Sequence, residues 1–128
     1  MRWSFVRNPR LDPFGHCPPF LIKRGGDLKQ LTRTGVPLGI FEDQTWKRDL
    51  VQLDPGDVLV LYSDGVTESQ NVEKSFFGED RLLESARGRL GNTASEIQDG
   101  IIGDLYSFMG EASQTDDIVL SILMRDPP

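Results

Sequence analysis

At 128 residues, with 38% hydrophobic and 27% charged side chains, the chain has the make-up of one globular domain large enough for a real core. A net charge of −6 argues against a nucleic-acid or anionic-membrane surface and is compatible with an acidic metal pocket. No apolar run approaches a membrane span, no hydrophobic signal region opens the sequence, and the single cysteine, Cys17, excludes an internal disulfide and suits a reducing cytoplasm.

Met1 to Asp12 carries Arg2, Arg7 and Arg10 with two aromatics and Pro9, in no clear period. It reads either as a short strand around Trp3 to Val6 or as an arm, and it has no functional signature. From Gly15 the pattern sharpens to G-H-C-P-P-F-L-I-K, where the prolines impose an extended approach to a strand over Phe20 to Lys23. Gly25-Gly26 ends that strand, and Leu28 to Thr32 is its expected hairpin partner. Gly35 to Ile40 is a glycine-flanked loop, and a further strand is expected over Thr45 to Leu53.

The most informative stretch is Asp54 to Gly65, D-P-G-D-V-L-V-L-Y-S-D-G. Pro55-Gly56 is a turn dipeptide, with the glycine suited to the positive φ of a type II turn. Val58 to Tyr62 then forms a short uncharged run, expected to be a strand buried on both faces. It delivers Ser63, Asp64 and Gly65 at its far end. A stiff buried strand holds a carboxylate in place, and an adjacent glycine lets the backbone turn away or a ligand come close. Asp-Gly alone is also the commonest short hairpin signal, so the metal or catalytic reading depends on the rest of the chain.

Beyond Gly65 the period becomes helical. Phe76-Phe77-Gly78 leads into a helix near Asp80 to Leu90, with Leu82, Leu83, Ala86 and Leu90 on one face. Thr93-Ala94-Ser95-Glu96 is a capping box, and it opens a helix over Ala94 to Met109 with Ile97, Ile101, Leu105 and Phe108 at steps of four, four and three. Gly100 and Gly103 lie inside it at about 1 kcal/mol each relative to alanine, so this helix should lean on tertiary packing. A last buried strand is expected over Ile118 to Met124, preceded by Asp116-Asp117. Strands, two helices and a strand predict an α+β sandwich with the helices segregated to one side.

Two carboxylate positions therefore sit at the ends of apolar strands, Asp64 after one and Asp116 before another. If those strands are antiparallel neighbours, the two carboxylates converge on one cation, within the 4–6 Å or so over which charges couple strongly. Asp117 is expected to point away or to cap. Oxygen ligands favour Mg²⁺ or Mn²⁺ over zinc. His16 and Cys17 are adjacent, fit no ligand spacing, and are assigned core or loop roles. Phosphate-binding glycine loops, nucleophile elbows and basic-aromatic stripes are missing from the sequence.

Together the blocks G-H-C-P-P-F-L-I, G-V-P-L-G-I, L-D-P-G-D-V-L-V-L-Y-S-D-G-V-T-E, F-F-G-E-D-R-L-L-E and T-D-D-I-V-L resemble the C-terminal half of bacterial PPM-type phosphatases of the stage II sporulation protein E-like class. They run in that family's order from roughly Gly15 to Met124. The resemblance implies a partial α-β-β-α sandwich of antiparallel sheets with flanking helices, and hydrolysis of phosphoserine or phosphothreonine on a protein. It implies Asp64 and Asp116 as metal ligands, and two Mn²⁺ or Mg²⁺ ions in the complete domain; the backbone carbonyl of Gly65 is the foremost nearby candidate for a further metal donor. An implied substrate is a phosphoprotein such as an anti-sigma-factor antagonist.

The family's first half, with its Asp-x-x-Gly-His-Gly signature and further metal carboxylates, has no counterpart here. Asp12 to His16 imitates that signature, but Cys17-Pro18-Pro19 leads into a strand where the signature opens a helix. The expected division is therefore an arm over 1–14, outside the family pattern, and the phosphatase part over 15–128. Such a part is expected to bind at most one ion weakly and to be inactive alone. It should also leave a sheet edge open to a complementing N-terminal half or a second copy. The alternative is a non-catalytic, partner-binding module derived from the same fold.

Overall fold

The computed structural model describes residues 2–7, 17–30, 47–114 and 116–125, with side chains described within 17–29, 53–114 and 116–125. Its strands are β1 (Arg2–Arg7), β2 (Phe20–Ile22), β3 (Leu28–Gln30), β4 (Lys47–Gln52), β5 (Val58–Tyr62) and β6 (Leu120–Met124). Its helices are α1 (Asp64–Thr67), α2 (Gly78–Arg87) and α3 (Ala94–Met109). The strands β3-β2-β5-β6 form one antiparallel sheet, and β1 pairs with β4 in a separate antiparallel ribbon.

The expected strand over Val58 to Tyr62 and helix over Ala94 to Met109 occupy those spans. Other boundaries move for local reasons. The first core strand stops at Ile22, one residue early, because the Lys23 amide donates to the Asp27 carbonyl and its own carbonyl accepts from Gly26, closing the turn to β3. The second helix runs from Gly78 to Arg87 instead of Asp80 to Leu90. Buried Phe77 anchors its start, and Gly88 ends it. The last strand begins at Leu120 and not at Ile118, since the backbone at Val119 bonds to Ser63 outside the ladder. The helix α1 was not expected. The loop over Gly35 to Ile40, the end of the expected hairpin partner at Thr32, the start of the expected strand at Thr45, residues 1 and 8–14 of the arm, and His16 lie outside the described residues.

Alternation along the strands builds the core. Phe20, Ile22, Val58, Val60, Tyr62 and Leu120 turn one sheet face toward Leu82, Ala86, Ile97, Ile101 and Leu105 of α2 and α3. The opposite face contributes Leu21 and Leu59, which pack with Leu53 in a second, smaller cluster. Both faces of β5 are thus covered, as its uncharged sequence requires. Phe20 and Tyr62 stack across the helical face, with ring centroids 5.4 Å apart and planes 12° off parallel. The predicted turn before β5 is also present: Asp57 N donates to Asp54 O at 3.0 Å, and Gly56 adopts φ +86°.

Candidate metal centre

The register of β5 against β6, with Tyr62 opposite Leu120, lays the end of one strand beside the start of the other. Asp64 leaves β5 and Asp116 approaches β6, so the two acidic positions approach the same end of the sheet. Both side chains are exposed. Behind Asp64 the chain is tightly held, because Val58, Leu59, Val60 and Tyr62 are at most 1% exposed and Val66, one turn into α1, is fully buried.

Three contacts shape this end. Cys17 Sγ donates to Asp64 Oδ1 at 2.8 Å, reaching it from the segment that leads into β2. Cys17 also belongs to the main core cluster, in keeping with its expected core role. Gly65 packs so closely on the strand approach that a Cβ built on it would lie 1.9 Å from the Asp117 carbonyl oxygen. This glycine is needed for close approach, not for a positive φ. Ser63 occupies the N-cap position of α1, yet its hydroxyl makes no cap bond. Instead, Ser63 Oγ donates to Asp117 O at 3.2 Å and accepts from Val119 N at 3.0 Å, while Ser63 N donates to Val119 O at 3.0 Å.

The expected ligand positions differ in what they offer. Asp116 Oδ1 accepts from the Asp117 amide at 2.8 Å, and the Asp117 side chain is exposed. An ionised carboxylate has about four acceptor positions, so that bond leaves capacity for a cation. The Gly65 carbonyl accepts from Ser69 Oγ, and Gly65 is buried; here that oxygen serves the turn that follows α1. The exposed carboxylates of Asp64 and Asp116 form an all-oxygen pair that suits a hard divalent ion. Among the described residues, no three His, Cys, Asp or Glu side chains gather closely enough to hold a metal ion. Sequence reasoning did not find the contribution of Ser63 or the contact between Cys17 and Asp64. The hydroxyl next to Asp-Gly was visible, but its partners lie more than fifty positions away.

This mixed fold, an antiparallel four-strand sheet backed by helices, matches part of the solved PP2C phosphatase domains. The chain superimposes on the phosphatase domain of SpoIIE from Bacillus subtilis with a TM-score of 0.70 at 19% identity, covering 99% of this chain and 52% of that one. It also matches the SiaA-PP2C domain of Pseudomonas aeruginosa, with a TM-score of 0.68 at 23% identity over 87% of this chain and 44% of that one. The model of the stage II sporulation protein E (SpoIIE) family matches residues 11–126. The chain therefore belongs to the SpoIIE family. It is 33% identical over 112 residues to Protein IcfG of Synechocystis sp., covering 88% of this chain and 18% of that protein. It is 30% identical over 112 residues to phosphoserine phosphatase RsbU of Bacillus subtilis, covering 87% of this chain and 33% of that protein. It thus spans a third or less of these curated relatives and about half of the solved phosphatase domains.

Proposed function

We propose that these residues are the C-terminal part of a metal-dependent protein serine/threonine phosphatase domain acting in the cytoplasm on a phosphoprotein, such as an anti-sigma-factor antagonist. The observation that carries this reading is the approach of Asp64 and Asp116 to one end of the β5–β6 pair, in a chain of the SpoIIE family. Asp64 and Asp116 would hold the cation through carboxylate oxygens. The chemistry supplied by bound Mn²⁺ or Mg²⁺ is charge neutralisation at the phosphoryl oxygens and acidification of water for attack at neutral pH. Buried β5 fixes the position of Asp64, and the Cys17 thiol restrains its carboxylate. The exposure of both acids leaves them open to a phosphate on a protein surface.

Two carboxylates do not fill the roughly six oxygen positions around a hard divalent ion, and a two-ion site needs still more. These 128 residues alone are therefore proposed to bind one ion weakly and to lack turnover, with the remaining ligands coming from the other half of the domain. The test is hydrolysis of a phosphoserine peptide in Mn²⁺ by the purified chain, alone and with the N-terminal half of a SpoIIE-family phosphatase domain. No turnover alone and turnover on mixing, lost in Asp64→Asn, is the expected result. Turnover that Asp64→Asn leaves intact overturns the metal role. A stable mixture without turnover favours a non-catalytic binding module.

A further inference from the structure

A serine at an N-cap position ordinarily turns its oxygen back to the amides of its own helix. Ser63 does not, although it precedes α1 with the extended backbone of an N-cap, φ −99° and ψ 166°. The residue is 7% exposed, and its hydroxyl uses both sides of its chemistry on one segment of the distant chain. It donates to Asp117 O and accepts from Val119 N, and its own amide donates to Val119 O. These bonds lie just beyond the last ladder pair, Tyr62 with Leu120, where the strands would otherwise part. Gly65 closes the same junction from the other side, with no room for a Cβ before the Asp117 carbonyl.

We infer that Ser63 is a positioning residue, whose hydroxyl locks the Asp117–Val119 backbone to the end of β5 and thereby sets the spacing of Asp116 from Asp64. The inference rests on the reading that those two carboxylates hold the cation. One immediate neighbour of each acid is in the lock: Ser63 precedes Asp64, and Asp117 follows Asp116. Without the hydroxyl, the Asp117 carbonyl and Val119 amide lose their shared partner, and the acidic turn can drift while β5 and β6 stay paired. A lock of this kind acts on affinity for the ion through geometry alone. Groups that orient metal ligands are typically worth about ten- to a hundredfold in affinity.

The test is Mn²⁺ titration of the folded chain, followed by the electron paramagnetic resonance signal of free Mn²⁺, with circular dichroism and thermal melting on each variant. Ser63→Ala is expected to weaken Mn²⁺ binding about tenfold. Ser63→Thr keeps the hydroxyl on an extended backbone that threonine favours, and should restore binding. Ile101→Val, in α3 and away from the junction, lowers stability without touching the lock and should leave affinity unchanged. If Ser63→Ala lowers the melting temperature yet binds Mn²⁺ as the wild type does, Ser63 is merely structural and the inference is overturned. Should Ser63→Ala not fold, Ser63→Cys decides, since it retains the volume with a much weaker hydrogen-bonding group; unchanged affinity there also overturns it. Asp64→Asn separates the two levels, because wild-type affinity in that variant overturns the cation reading itself, whatever Ser63 does.

Discussion

Asp57 is 1% exposed and closes the turn before β5 by accepting from Lys23 Nζ, Arg24 N and Asp54 N. Burial by itself would raise its carboxyl, but the Lys23 hydrogen bond and the two backbone amides outweigh burial and hold it below the usual carboxylate range. Because the folded-state value lies below the unfolded one, this stabilisation is complete above about pH 4 and is lost as pH falls through the folded value. The Lys23 ammonium is raised by its hydrogen bonds to Asp54 and then Asp57, so its share persists below the unfolded value of 10.5 and is lost only at higher pH. Asp57→Asn should cost roughly 2–3 kcal/mol at neutral pH, since a buried amide leaves donors facing donors. Urea denaturation checks this, and the variant should lose stability less steeply on the acid side than the wild type, with the shares of Glu96 and Asp104, which are also held below the usual range, remaining. At Gly65, alanine meets the Asp117 carbonyl at 1.9 Å. Gly65→Ala should destabilise by about 3 kcal/mol or leave no cooperative thermal transition. A melt within a degree of wild type would show that the junction yields more readily than its packing implies.

The two glycines inside α3 look alike as sequence and differ in space. A Cβ at Gly103 meets nothing within 4 Å, whereas one at Gly100 falls 1.8 Å from Arg89 Nε. Arg89 crosses α3 there to pair with Asp104 at 2.8 Å, and also bonds to Ser85, whose hydroxyl itself donates to Asp104. Gly103→Ala should therefore stabilise by about 0.5–1 kcal/mol through helix propensity. Gly100→Ala should gain less or lose, since Arg89 must give up that position. Chemical denaturation of the pair tests this, and equal gains would mean that Arg89 contributes nothing at this helix contact. The same contrast explains what sequence makes legible. Val58 to Tyr62 and the capping box at Thr93 declare themselves through neighbours in the chain, and both reciprocal bonds between Thr93 and Glu96 are present. Helix α1 has four residues, too few for a period, and its existence follows from buried Val66 and the Asp117 contact, which no local pattern records. Asp64 was legible because a strand end and a glycine mark it. The Cys17 thiol on Asp64 joins positions 47 apart, a distance over which spacing carries no signal.

At the level of the whole molecule, β3 and β6 are the outer strands of the four-stranded sheet among the described residues. Outer strands present backbone donors and acceptors that another strand can use. The chain alone is expected to self-associate as its concentration rises, and an N-terminal half of the family domain should replace that with a one-to-one complex. Sedimentation velocity across a concentration series checks this, and a monomer throughout would show that the edges are already protected. The pairing of β5 with β6 has a further consequence, for the timing of assembly. Tyr62 leaves the ribosome long before Leu120, and elongation runs at about 5–20 residues per second. For several seconds β5 and its Asp-Gly corner exist without the strand that completes them. A nascent chain of this kind can already fold its β2–β3 hairpin, while the acidic end of the sheet is assembled only after α2 and α3 have emerged. The part of the molecule proposed to do chemistry is thus completed only once β6, the last of the described elements, has emerged, and a pause in translation before β6 would expose it to chaperones.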